Sequence, residues 1–161
     1  MLLTVSKGDK LSFMMQSLAP FRPWQDHLLP EWYMADFKLH RAHRRFIKAL
    51  NRLYLETPLL YTQNRTITAT HLDFDRGIVL LSLCDECDKL LFAFNFSDTL
   101  VRDYPLPVSD KAYIERFSSD EESFAGEGYV HRMTLWAREG KLTLDLAPLS
   151  AVLLQPIETN N

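Results

Sequence analysis

"LLFAFNFSDTLVRDYPLPV", residues 90–108, decides the fold of this 161-residue chain. Its first seven residues are almost continuously apolar and too short for a helix of ordinary length, which is the pattern of a strand covered on both faces. Ser97, Asp98 and Thr99 supply turn chemistry. Tyr104-Pro105-Leu106-Pro107 then reads as an edge strand, because proline cannot donate to a sheet ladder. A central strand, a turn and an edge strand require a sheet of several members.

The neighbouring sequence supplies them. "TITATHLDF", "GIVLLSL", "AYIERF", "VHRMTLWA", "KLTLDL" and "SAVLLQPI" are short and rich in β-branched and aromatic residues, and Asp, Gly, Ser and Pro clusters separate them. No helical pattern lies between them, so the expectation is a mainly β protein built as an antiparallel β-sandwich.

Before residue 60 the period changes. Leu39, Ala42, Phe46, Leu50 and Leu53 fall at three- and four-residue spacings, which predicts one long amphipathic helix over residues 36–55. Asp36 is the expected N-cap, and Thr57-Pro58 closes the helix because the proline ring disfavours helical geometry in the residue before it. Arg41, Arg44, Arg45, Lys48 and Arg52 fall on the opposite, solvent face. Further upstream, "KLSFMMQ" reads as an isolated strand, followed by an irregular stretch containing Trp24, Trp32, Tyr33 and Phe37. The expected division is a strand–loop–helix segment over residues 1–60 and a sandwich domain over residues 61–161.

Composition narrows the function classes. Hydrophobic residues make up 47% of the chain, ample for a core, and the formal net charge of −3 gives no electrostatic ground for a nucleic-acid partner. No apolar run approaches the ~20 residues of a membrane-spanning helix, and "MLLTVSKGDK" lacks the layout of a secretion signal. The expectation is a soluble cytoplasmic protein with no membrane partner.

Two cysteines, Cys84 and Cys87, have the spacing of a zinc half-site or a redox pair, but no second ligand pair accompanies them and a hairpin turn is expected there. His40 and His43 lie three apart on the helix without the Glu-x-x-His pattern of a metal site. The acidic stretch "SSDEESFAGEG" lacks the spacing of a calcium loop and reads as a connection between strands. No metal and no cofactor is expected. Trp24, Trp32 and Tyr33 are the candidate substrate-binding residues, because sugar rings pack on aromatic faces, although packing in a core or interface is the commoner role for such residues.

Four blocks in order, "KGDKLSFMMQSLAPFRPW", "LPEWYMADFKLHRAHRRFIKALNRLYLETPLL", "LLFAFNFSDTLVRDYPLPV" and "LTLDLAPLSAVLLQPI", resemble the C-terminal end of the 1,4-α-glucan branching enzymes of the α-amylase superfamily. The resemblance implies that residues 10–15 correspond to the eighth strand of a (β/α)8 barrel. Residues 36–55 then correspond to its last helix, and residues 62–157 to an α-amylase-type C-terminal all-β domain. In that family a carboxylate nucleophile and an acid/base carboxyl, about 5 Å apart in retaining enzymes, come from earlier barrel strands, so no catalytic residue is expected here. The family's Phe-Met-Gly-x-Glu is Phe13, Met14, Met15, Gln16 and Ser17, its Glu-Trp is Pro23-Trp24, and its Leu-Asp-Trp is Pro30-Glu31-Trp32. These departures cluster on the loop that would border the cleft.

The resemblance therefore implies a non-catalytic structural or glucan-positioning piece of a branching enzyme, of the kind used in glycogen or starch metabolism. Its alternatives are an α-glucan-binding module and one subunit of a split enzyme completed by a separate barrel chain. The barrel-facing surface, including Leu2, Leu3, Leu11, Phe13 and the apolar helix face, is expected to be covered either by folding back over the sandwich or by a second copy in a homodimer, with a barrel-containing partner chain as the other candidate.

Overall fold

The computed structural model describes residues 1–8, 10, 12, 15–23 and 25–158. Eight strands form two antiparallel sheets. β1 (Thr66–Asp73), β2 (Ile78–Cys84), β3 (Lys89–Asn95), β5 (Ala112–Ser118), β6 (Leu135–Trp136) and β8 (Ser150–Pro156) build a six-stranded sheet in the order β1-β2-β3-β8-β5-β6. β4 (Val101–Pro107) and β7 (Lys141–Leu146) pair with each other in a second sheet. The chain leaves the large sheet after β3, returns at β5, crosses again at β7, and closes by inserting β8 between β3 and β5.

Six of the seven residues of β3, from Leu90 to Asn95, are buried, because β3 is central in its sheet and both faces of that sheet are covered. Leu91 and Ala93 point toward the small sheet, where they meet Leu106, Leu142, Leu144 and Tyr113 in one apolar cluster. Leu90, Phe92 and Phe94 belong to a second cluster on the other face, with Leu50, Leu53, Leu60 and Leu153. The molecule is thus layered as helix, large sheet and small sheet. Truncating a fully buried side chain such as Phe92 costs about 3–5 kcal/mol in cores of this kind.

β4 is the expected edge strand, but it lies in the other sheet from β3. Only Tyr104 and Leu106 of β4 are buried, while Pro105 and Pro107 are exposed. A bulge between Val101 and Tyr104 carries Asp103 at φ 46°, and the Asp103 amide is held by Asp145 Oδ1 at 2.8 Å. Turn chemistry works here to send the chain to a new layer instead of folding it back as a hairpin.

The long helix runs Lys38–Glu56 and the chain has a short helix, Leu2–Val5; we number them α2 and α1. Two sequence expectations are corrected at the first of these. Phe37, not Asp36, is the N-cap, because Asp36 already closes the preceding 3-10 turn Trp32–Asp36. Leu39 is 67% exposed, and His40, 8% exposed, takes its place on the buried face beside Ala42, Leu50 and Leu53. The apolar face packs on the large sheet, which is the first of the two covers expected for it. Arg41, Arg44, Arg45, Lys48 and Arg52 are exposed as expected.

Two strands are shorter than their sequences suggest. "VHRMTLWA" forms only Leu135–Trp136, because the backbone of its first part is occupied elsewhere: the His131 amide donates to Glu115 Oε2 at 3.0 Å. The strand over residues 10–15 does not form among the described residues there. Lys10 and Ser12 are irregular and Met15 sits in a left-handed turn, with no neighbouring strand to pair with. Leu11, Phe13 and Met14 lie outside the described residues.

Candidate functional site

The candidate site is the aromatic loop ahead of α2, and two histidines on successive turns of that helix fasten it. His40 Nδ1–H donates to the Leu18 carbonyl at 2.6 Å, and His43 Nε2–H donates to the Gln16 carbonyl at 2.9 Å. The two bonds grip one 3-10 turn, Gln16–Leu18, which is flanked by Met15 and Ala19 in the left-handed region that side chains rarely adopt. Phe21 packs edge-on against the His40 ring at 4.9 Å, and Leu18 and Met34, one from each 3-10 turn, are buried. His40 and His43 are therefore structural anchors. Among the described residues no group of three or more metal-ligating side chains gathers.

Trp32 and Tyr33 follow one another on the 3-10 turn Trp32–Asp36 and are 65% and 55% exposed. Tyr33 Oη donates to Glu31 Oε1 at 2.8 Å, and its ring meets Phe37 edge-on at 6.2 Å, so the phenol is held in place while its surface stays open. That hydrogen bond to a carboxylate raises the Tyr33 pKa above its usual value. Glu31 also faces Arg22, 3.8 Å away, and a shallow cleft lined by Arg22, Pro23, Leu28 and Glu31 opens beside it. Trp24, the third sequence-predicted residue, lies outside the described residues. An exposed aromatic pair with a carboxylate and a guanidinium nearby suits stacking on a ring that carries hydroxyls.

The other sequence candidates resolve into structural roles. Cys84 and Cys87 flank the β2–β3 turn, where Asp85 Oδ1 accepts the amides of Cys87 and Asp88 at 2.9 and 2.8 Å. Both thiols are free. In the acidic loop, Asp120 spends its carboxylate on the amides of Glu127 and Tyr129, at 3.1 and 2.9 Å. Sequence reading passed over Asp120 as one acid among several, although the glycines beside it signalled a tightly folded loop.

A further cluster was not foreseen. Tyr104 Oη donates to Asp73 Oδ2 at 2.8 Å and lies 2.7 Å from His71 Nε2, while Arg76 sits over the ring at 5.7 Å. It ties the edge of the large sheet to the small one. Burial pushes the Tyr104 phenol up to about 12, with the Asp73 bond adding to it. A neutral, high-pKa phenol is a fastening here and a poor acid.

The profile of the family described as "Alpha amylase, C-terminal all-beta domain" matches residues 74–157, more than half of the chain. The chain belongs to this family. The match spans β2 to β8 and so includes the small sheet and all of the large one except β1.

Among curated proteins, the chain is 28% identical to the 1,4-alpha-glucan branching enzyme GlgB of Salinibacter ruber, over 94% of this chain and 26% of that one. It is 25% identical to GlgB of Bacillus subtilis, over 97% of this chain and 27% of that one. Both matches extend well upstream of the all-β domain and take in the aromatic loop and α2. The chain spans about a quarter of the length of these relatives. Among solved structures, AmyP in complex with maltose superposes with a TM-score of 0.55 at 16% identity, covering 77% of this chain and 23% of AmyP. The α-amylase from H.orenii superposes with a TM-score of 0.50 at 15% identity, covering 71% of this chain and 20% of that one. At such identity these two likenesses concern the fold.

Proposed function

We propose that this chain is the supporting module of a 1,4-α-glucan branching enzyme, non-catalytic by itself, with residues 61–161 as a sandwich domain and residues 1–60 as the layer that meets a barrel. The observation that carries the proposal is an asymmetry of exposure. Phe21, Leu29, Trp32, Tyr33, Phe37 and Leu39, all at least half exposed, crowd into residues 21–39, whereas the sandwich's comparably exposed apolar side chains, Phe74, Phe96, Met133, Trp136 and Leu149, are spread over residues 74–149. Apolar groups that crowd one region of an otherwise well-packed molecule mark a surface that meets another protein. Similarity to branching enzymes across almost the whole chain supports a glucan-processing barrel as that protein, acting in the cytoplasm on glycogen-like substrates. The test is a branching assay on amylose with the pure chain. No new branch points are expected, and branching by the chain alone overturns the proposal.

A second reading, an α-glucan-binding module, is favoured by the Trp32–Tyr33 pair, whose exposed rings stand beside Glu31 and Arg22. Affinity electrophoresis in glycogen or amylopectin tests it. Retardation that disappears with Trp32→Ala and Tyr33→Ala supports the reading, and migration unchanged by glucan removes it. Whether the same surface is covered by a second copy is read from sedimentation: a clean monomer at high concentration rules out the homodimer.

A further inference from the structure

Arg65, the residue immediately before β1, is a buried cation with no counter-charge among the described residues. It is 6% exposed. Its guanidinium donates Nη1 to the Thr62 carbonyl and Nη2 to the Ser6 carbonyl, the latter at 3.2 Å, while Nε is buried with no partner at all. Among the described residues no carboxylate lies within 4 Å of it, although four Arg or Lys ion pairs form elsewhere. A guanidinium cannot shed its proton at any ordinary pH, so burial does not neutralise it as it would a lysine. Neutral carbonyls satisfy hydrogen bonds but leave the net charge uncompensated.

The surroundings of Arg65 are one-sided. It lines a small surface cleft with Lys7, Gly8, Tyr54, Tyr61 and Gln63. The side chains around the cleft are therefore a guanidinium, an ammonium, two phenols and a carboxamide. Every one can donate a hydrogen bond, two are cations, and none of these described residues is an acid. The cleft also joins elements far apart in sequence: α1's trailing turn, the last turn of α2 and the approach to β1. Tyr54 and Tyr61 form its wall, with ring centroids 5.5 Å apart.

We propose that this cleft is a binding site for a phosphate group, either inorganic phosphate or the phosphate of a small phosphorylated sugar. A doubly charged tetrahedral oxyanion has enough acceptors to take bonds from Lys7, a tyrosine and Arg65 together, and it supplies the counter-charge that Arg65 lacks. A metal cation is repelled by the same two charges. The cleft shares no lining residue with the one beside the Trp32–Tyr33 pair, so it stands or falls independently of glucan recognition.

The test is calorimetric titration of the full chain at fixed ionic strength. Its arms are inorganic phosphate, a hexose monophosphate, acetate and chloride. Phosphate is expected to bind where chloride does not, and tighter binding of the hexose phosphate than of inorganic phosphate assigns the sugar ester as the ligand. Lys7→Gln sits on the surface and leaves the fold intact; it is expected to weaken phosphate binding about tenfold, as loss of one charge-assisted bond does. Arg65→Lys, which keeps the charge but loses the fork, is expected to weaken it comparably, with circular dichroism confirming a folded chain. Binding unaffected by Lys7→Gln, acetate binding as tightly as phosphate, or phosphate giving no more heat than chloride each overturns the proposal.

Discussion

The side-chain amide of Asn95 donates to the Leu146 carbonyl at 3.1 Å and thereby joins the end of β3 in the large sheet to the end of β7 in the small one. The same Nδ2 reaches Ala147 O and Thr99 O, both at 2.9 Å, while Oδ1 accepts the amide and hydroxyl of Ser97 at 2.9 and 2.7 Å. Asn95 is 1% exposed, so every polar atom it carries is buried and satisfied. The residue fixes both the crossover after β3 and the spacing of the layers. Polar networks of this completeness specify one arrangement, because breaking any member strands the others.

Asn95→Leu is expected to destabilise the fold by about 3 kcal/mol, since the carbonyls of Leu146, Ala147 and Thr99 lose their donor in a buried setting. Urea unfolding monitored by circular dichroism measures it. A loss under about 0.5 kcal/mol, the usual range of surface substitutions, contradicts the linking role.

The acidic loop depends on close approach. A Cβ at Gly126 would stand 2.2 Å from the Asp120 carbonyl oxygen, and that oxygen itself accepts the Gly128 amide at 2.9 Å. Gly126→Ala is therefore expected to push the loop off Asp120 and release the Glu127 and Tyr129 amides. Hydrogen exchange at those two amides should accelerate by an order of magnitude or more, at about 1–3 kcal/mol of local destabilisation. Unchanged exchange would show that the loop has another way to close.

Tyr104 and Asp73 predict two pH limits. The Asp73 pKa is held below its usual value, chiefly by the hydrogen bond from Tyr104, so its contribution is present above the unfolded carboxylate pKa and is lost as pH falls through the lower folded value. Tyr104 has the opposite sign. Its folded pKa of about 12 exceeds the unfolded value of 10.0, so its contribution is intact below pH 10.0 and is lost as pH rises toward 12. Tyr104→Phe is expected to flatten both limbs of the stability–pH curve. A variant whose curve keeps the wild-type acid limb contradicts the assignment.

His40→Leu keeps apolar volume but removes the donor to Leu18. The aromatic loop is expected to loosen while the sandwich stays intact: the melting temperature falls by a few degrees, as about 1 kcal/mol implies in a chain of this size. Limited proteolysis should then cut within residues 15–30. Resistance equal to wild type would show that Leu18 and Met34 hold the loop without the histidine.

Much of this architecture was legible because the sheet writes its burial into short periods. The apolar run of β3 announced a strand covered on both sides, and Pro105 and Pro107 announced an edge. What escaped was set by contacts between distant residues. Nothing local says that Leu39 turns outward and His40 inward; the Leu18 carbonyl, 22 positions away, decides it. "VHRMTLWA" has strand composition, but Glu115 captures its backbone. The Tyr104–His71–Asp73 cluster joins residues more than thirty positions apart through a sheet crossing that no spacing encodes. At the candidate site, neither the exposure of Trp32 and Tyr33, for which packing in a core or interface was the favoured expectation, nor the anchoring of the loop by two helix histidines was legible, because both depend on where residues 16–18 dock.

The central claim, that this chain supports a barrel it does not itself contain, is tested most directly by complementation. A Bacillus subtilis branching enzyme shortened by the quarter that this chain matches would be mixed with the chain and assayed for branching of amylose, with sedimentation run in parallel. The account predicts a stable one-to-one complex and branching well above that of the shortened enzyme alone. Absence of any complex, or branch formation by this chain without the barrel, would contradict it.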